Sequence, residues 1–401
     1  MTSRRSPDPI ALLESLVRIP SVNPSLAPEE ATGELAIATF IRDWLTEHGV
    51  PAVLEEAAPG RPNVVGTVGG VGGGTDRGGT VGGSGGGGNG KTLVLCAHID
   101  TVGTAGMTIP PFEPRREAGR LYGRGAFDMK GGLAAVMTAG ASLQEGWSAG
   151  TKGAPGTVLL ALVADEEYTS LGADHFVAHH RADGCVLTEA SGGDLIVAHK
   201  GFVWLTIRTQ GRAAHGSRWD LGKSALGPMA RIVDALERFD QGTLRQRVHP
   251  LVGPASMHAA LIQGGVGIST YAPECTLRVE RRTLPDETPE QVALEIRALV
   301  AEIGEQAEVD IEFARPALLC DPNAKIAEAM RGAITNVAGA APAERGVWYW
   351  MDAAIFAAAG IPTVDYGPTG EGAHEAVEWV ETASVERTTA VLVEAARRFF
   401  R

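Results

Sequence analysis

The chain has 401 residues, 44% hydrophobic and 21% charged, with a formal net charge of −13 at pH 7. That balance suits a globular protein of about two or three domains with a sizeable core, and it argues against nucleic acid and anionic lipid as partners. Four scattered cysteines (Cys96, Cys185, Cys275, Cys320) and no uncharged apolar run of about 18 residues predict reduced, buried thiols in a cytoplasmic protein that does not span a membrane. The opening "MTSRRSPDPIALLESLVRIP" is basic at first, but Glu14 and Arg18 interrupt its apolar stretch. It reads as an amphipathic helix at 9–18 rather than a signal peptide. A second helix is predicted at 28–48 and a strand near 62–67. Residues 67–90 then hold fourteen glycines in twenty-four positions. A phosphate-binding loop would need a helix immediately after it and a Lys-Ser/Thr pair. Here a strand follows at 92–97, so the segment reads as a flexible insert between two strands.

Beyond it the pattern alternates. Strands are predicted near 157–164 and 185–189, and helices at 130–145 and 170–181. This is an α/β layout with a central, mostly parallel sheet. From Lys200 to about Ala314 the order changes to strand "FVWLTIRTQ", helix 223–238, strands "SMHAALIQG" and "ECTLRVERR", helix 288–304 and strand "EVDIEFA". That β-α-β-β-α-β order predicts a ferredoxin-like domain at 200–314, inserted into a catalytic domain made of 1–199 and 315–401. Helices near 323–338 and 384–400 complete the first domain.

Chemistry gathers at the ends of the apolar strands. "LVLCAHIDTV" ends in His98 and Asp100, two positions apart and therefore on one face of an extended chain. A carboxylate there can take the imidazole N–H and leave the other ring nitrogen for a metal. In "LYGRGAFDMKGGLAAVM", Asp128 sits among glycines just before a helix, as a cap or as a ligand. "VLLALVADEEYTS" delivers Asp165, Glu166 and Glu167 together, and such carboxylates repel one another unless solvated or bound to a cation. "CVLTEA" ends in Glu189, and the glycine-rich "GPTGEGAHEAVEWV" reaches His374. The set is nitrogen and oxygen only, which suits zinc, cobalt or manganese in a paired centre.

These motifs, with "GRAAHGS" and "ERRTLP", resemble in kind and order those of the dinuclear zinc hydrolases that include acetylornithine deacetylase, succinyl-diaminopimelate desuccinylase, aminoacylase and carboxypeptidase G. The resemblance implies two divalent metal ions, one held by His98 and Glu189 and the other by Glu167 and His374, with Asp128 bridging. It implies Asp100 as the partner that orients His98, and Glu166 as general base. It further implies that His215 stabilises the oxyanion across a dimer interface formed by the inserted lid and dimerisation domain. Arg282 would hold a substrate carboxylate while Arg281 faces away. Glutamate at 189 is the choice associated with deacylases and carboxypeptidases. The expected activity is amide hydrolysis of N-acyl amino acids by a homodimer, with carboxypeptidase or dipeptidase action on short peptides as the alternative. Retention of Glu166 argues against a metal-binding protein without catalysis. Trp219, Ser269 and Thr270 depart from the family pattern, as does the aromatic run Trp348, Tyr349, Trp350, which could line an acyl pocket but for which core packing is the more common use. His175, His179 and His180 are expected on a helix surface.

Overall fold

In the computed structural model, which describes residues 7–69, 90–150 and 153–401, the apolar runs form the middle of one mixed sheet. Thr92–His98 lies between Thr157–Val163 and Gly184–Leu187 and is parallel to both. Thr363–Asp365 extends the parallel set beside Gly184–Leu187. Leu93–Ala97 and Val158–Val163 are wholly buried, as strands covered on both faces must be. Ala52–Ala58, a strand not anticipated, pairs antiparallel with Arg61–Val68, which in turn pairs antiparallel with Thr157–Val163. The two-residue Pro59–Gly60 link, with Gly60 at φ +73°, closes a hairpin, whereas a parallel pair needs a crossover of a dozen or more residues. The glycine-rich segment begins two residues later than its composition suggests, since the strand runs to Val68; residues 70–89 lie outside the described ones.

Helices Pro9–Val17, Gly131–Ala149, Lys325–Ala338 and Thr382–Phe399 pack together, burying Leu13, Leu16, Leu133, Met137, Met330, Leu392 and Phe399 in one core. The first helix starts where "DPI" dictates: Asp8 accepts hydrogen bonds from Ile10 N (2.8 Å) and Ala11 N (3.2 Å), and Pro9 needs no donor partner. The expected 28–48 helix is shorter, Leu35–Glu47, because Gly33 takes φ +66° and Glu34 is buried against Arg61. The expected surface histidines also need correction. His175 and His179 stack on the helix Leu171–His179, but His180 is buried and its Nε2 lies 2.9 Å from Glu55. A small antiparallel sheet was not anticipated; its order is Gly370–Glu371, Trp379–Glu381, Arg120–Tyr122, Arg115–Glu117. Its strands have two or three residues, too short for periodicity to reveal.

This first unit runs to Val197 and resumes over Cys320–Arg345 and Met351–Arg401; the second comprises Ala198–Leu319 and Gly346–Trp350. In the second unit four antiparallel strands stand in the order Ser256–Gly264, Glu274–Thr283, Gly201–Gln210, Glu308–Arg315. Helices Leu226–Gly242 and Pro289–Glu302 share with them a separate core containing Val203, Leu205, Ile207, Ile232, Leu277, Val279 and Ile296. Thr288 and Gln291 form a reciprocal capping box at the start of the second helix. All four cysteines are buried and free. No helix among the described residues is long and apolar enough to cross a membrane.

Candidate metal centre

Three neighbouring parallel strands release their chain at the same edge, where ligand sites of α/β sheets collect. Thr92–His98 ends in His98, Thr157–Val163 is followed by Asp165–Glu167, and Gly184–Leu187 by Glu189. The small sheet supplies the rest. Arg120–Tyr122 feeds the loop to Asp128, and the hairpin from Gly370–Glu371 to Trp379–Glu381 carries His374. Asp128 does not cap the helix that follows it. That helix approaches so closely that a Cβ on Gly132 would stand 2.0 Å from Thr188 O, next to Glu189. The hairpin is as tight: Gly372 takes φ +87°, and a Cβ there would meet Val377 O at 1.9 Å. His374 itself is left-handed at φ +62°, a conformation costing about 1–3 kcal/mol in a non-glycine residue and found mostly where function requires it.

Asp128 is central. Its Oδ1 lies 3.2 Å from His98 Nε2 and its Oδ2 lies 3.2 Å from His374 Nε2. His98 Nε2 is also 3.5 Å from Glu189 Oε1, and His374 Nε2 is 3.0 Å from Glu167 Oε2. Ligand atoms of His98, Glu166 and Glu189, and likewise of His98, Asp128 and Glu167, fall within 4.8 Å of one another. His98 Nδ1 faces the Asp100 carbonyl oxygen at 3.0 Å, closer than the Asp100 carboxylate at 3.5 Å. A carbonyl only accepts, so Nδ1 carries a proton, and Nε2 is the ring nitrogen left facing the acidic cluster. The Asp100 carboxylate has another task. It accepts from Glu166 N (3.2 Å), Glu167 N (3.3 Å) and Asn23 Nδ2 (2.7 Å), so it holds the turn that presents both glutamates.

The electrostatics call for a cation. Burial and the nearby Glu189 carboxylate push Glu166 well above the ordinary glutamate value. Burial and Asp128 push Glu167 to about 7. Burial also raises Glu189. Hydrogen bonds to Asp128 and Glu167 raise His374 to about 10. Burial works against charge on His98, yet Glu189, Asp100 and Asp128 hold its imidazole well above the usual range. Oε1 of Glu167 and Oε1 of Glu189 are buried with no hydrogen-bond partner, a cost of about 1–3 kcal/mol or more each that a cation would remove. The donors present fit a pair of zinc, cobalt or manganese ions.

His215 and Arg282 belong to the second unit. His215 is exposed, with Nδ1 2.8 Å from Ser217 Oγ. Arg282 is partly exposed, 3.0 Å from Glu280 and 5.3 Å over the Phe202 ring. Arg281 does face the other way; it is fully buried and paired with Glu287 at 2.5 Å. In the aromatic run Trp350 packs edge-on to Phe202, while Trp348 and Tyr349 are exposed. Trp219 is exposed too.

Several buried polar residues escaped the sequence reading. Asn23 links Asp100 to Asp165 (2.9 Å), and Asp165, at φ +70°, also takes Arg61 at 2.7 Å. Asp365 accepts from Glu189 N at 2.7 Å. Asn before Pro24 reads as an ordinary turn, and an aspartate ending the short run "PTVD" reads as solvated, so no local signal marks either. Glu378 follows His374 by four residues and is completely buried.

The peptidase family M20/M25/M40 matches the chain over residues 94–398. A succinyl-diaminopimelate desuccinylase of Rhodospirillum centenum is 28% identical over 413 aligned positions, covering 98% of each chain. An acetylornithine deacetylase of Vibrio cholerae is 28% identical over 285, covering 70% of this chain and 69% of that one. The crystal structure of aminopeptidase PepT from Bacillus cereus superposes with a TM-score of 0.75 at 18% identity, covering 99% of each chain. A Bacillus subtilis protein described as a dinuclear metal-binding M20 peptidase gives 0.71 at 16%, covering 97% and 96%.

Proposed function

This chain belongs to peptidase family M20/M25/M40, a family of metal-dependent peptidases and deacylases, and from that premise we propose that it hydrolyses the amide bond of N-acyl amino acids. The observation that carries the proposal is Asp128, with one carboxylate oxygen 3.2 Å from each of two histidines. In this reading His98 and Glu189 would hold one divalent ion and Glu167 and His374 the other, with Asp128 serving both. When bound, the paired ions supply Lewis acidity, lowering the pKa of water and polarising the scissile carbonyl. Glu166 takes a proton from the attacking water as the new C–O bond forms, and then returns it to the departing nitrogen as the amide C–N bond breaks. Its carboxylate is suited to this because burial and the neighbouring Glu189 make it a stronger base than an ordinary glutamate. Asp100 keeps Glu166 and Glu167 in place through their backbone N–H groups.

His215 and Arg282 enter by motif. His215 would donate to the developing oxyanion, reaching it from a second copy of the chain, and Arg282 would grip the free carboxylate of the amino acid. Two relatives, named for removing succinyl and acetyl groups, support deacylation over peptide cleavage. The test is a metal-reconstituted screen of N-acetyl and N-succinyl amino acids against dipeptides and tripeptides. Turnover confined to peptides would replace deacylation with carboxypeptidase or dipeptidase action, and hydrolysis of carboxyl-blocked substrates as fast as free acids would remove the role of Arg282.

A further inference from the structure

Glu378 has no place in the ligand set, yet it is completely buried and its carboxylate is satisfied on every side. Oε1 accepts from Phe127 N at 2.9 Å and Asp128 N at 3.0 Å. Oε2 accepts from Gly125 N at 2.9 Å and from Arg124 Nη1 at 2.7 Å. The main-chain oxygen of Glu378 accepts Gly123 N at 3.2 Å. One residue therefore receives hydrogen bonds from five donors in the six-residue run 123–128. Gly125 inside that run takes φ +78°, and Asp128 and Met129 depart from helical dihedrals, so no regular hydrogen-bond ladder defines the path of this loop. The carboxylate replaces the missing ladder.

The same residue closes the histidine hairpin. Arg124, held by Glu378, donates Nη2 to Glu375 O at 3.3 Å and Nε to Gly103 O at 3.1 Å. Glu375 follows His374 directly. The loop carrying Asp128 and the turn carrying His374 are thus tied through one buried ion pair.

We propose that Glu378 is a positioning residue which, through its bonds to Phe127 N and Asp128 N, sets Asp128 between His98 and His374 and so governs metal affinity. This rests on the paired-metal reading above. Glutamine cannot reproduce the arrangement, because one end of its amide would present N–H groups to donors. Aspartate keeps the charge facing Arg124 but falls short of the loop. Loss of an outer partner of a metal ligand typically weakens metal binding about 10–100-fold.

The test titrates the metal-free full chain with Co²⁺ alone, following both affinity and the visible absorption that reports cobalt geometry. Glu378→Gln and Glu378→Asp are compared with the parent and with Glu287→Gln, which strips a carboxylate from the buried Arg281 in the other unit. The expected result is about 10–100-fold weaker binding and an altered spectrum in both Glu378 variants, with circular dichroism unchanged and Glu287→Gln binding like the parent. Parental affinity and spectrum in a folded Glu378 variant would overturn the proposal. So would equal weakening in Glu287→Gln, which would mark general destabilisation, and so would failure of both Glu378 variants to fold, which would make the residue a requirement of the fold. A parent chain that binds no Co²⁺ would instead overturn the paired-metal reading itself.

Discussion

Two adjacent glutamates compete for the roles of base and ligand, and exchanging each for glutamine separates them. Glu167 Oε2 lies 3.0 Å from His374 Nε2, and its Oε1 is buried without a hydrogen-bond partner. Both oxygens are thus placed as a ligand's would be. Glu166 comes within 4.8 Å of ligand atoms of His98 and Glu189, and its basicity is raised by burial and by Glu189. Glu166→Gln preserves volume and removes only the proton acceptor. General-base catalysis contributes about 10²–10⁴-fold, or about 3–5 kcal/mol of barrier at about 1.4 kcal/mol per decade. The variant should lose that factor in kcat while KM and metal content remain near the parent's. Glu167→Gln should lose metal as well, since a carboxylate ligand becomes a neutral amide. The assay pairs steady-state kinetics on the best N-acyl substrate with metal analysis after dialysis against limiting Zn²⁺. Should Glu166→Gln shed metal while Glu167→Gln keeps it, the two roles are reversed.

Metal binding should release protons. With Glu167 raised to about 7 and His374 to about 10 in the absence of metal, His374 is protonated and Glu167 partly so near neutral pH, and a cation must displace those protons. Affinity should therefore rise with pH, and calorimetry in two buffers of different ionisation heat should differ; identical heats would refute this. His215→Ala should lower kcat about 10²–10³-fold at full metal occupancy, and mixing it with Glu166→Gln chains should restore part of the activity if the histidine acts from a second copy. Arg282→Lys keeps the charge but loses the two-pronged grip, so KM for free acids should rise while any turnover of the matching amides is unchanged. Arg61→Met should destabilise by about 3–5 kcal/mol in urea unfolding, because it leaves Glu34 and Asp165, both fully buried, without their cation.

Much of the centre could be read locally because each strand end carries its own residue. An apolar run that stops at His98, Asp165–Glu167 or Glu189 announces both the strand and the polar group beyond it, and the alternation along Glu274–Thr283 correctly separated Arg281 from Arg282. The outer layer could not be read this way. Asn23, Arg61, Asp365 and Glu378 serve the centre through hydrogen bonds to residues 77, 104, 176 and about 250 positions away, and nothing adjacent to them in the chain records those partners. The two-residue and three-residue strands that carry the Asp128 loop and the His374 hairpin lack periodicity for the same reason: their pairing is long-range.

What the sequence determined by itself is the chemistry on offer and the class of the fold. Buried parallel strands need continuous apolar runs, and a nitrogen and oxygen ligand set needs its histidines and carboxylates, so both are written in residue type and order. What only the tertiary structure decided is which of those groups meet. Asp128 read equally well as a helix cap until the packing placed it 3.2 Å from two histidines that stand 276 positions apart in the chain, at 98 and 374. Asp100 read only as a partner for His98, and the packing gave its carboxylate a second task, holding the Glu166–Glu167 turn. Strand order and close approach at Gly132 and Gly372 make those meetings, and both depend on the whole sheet having formed.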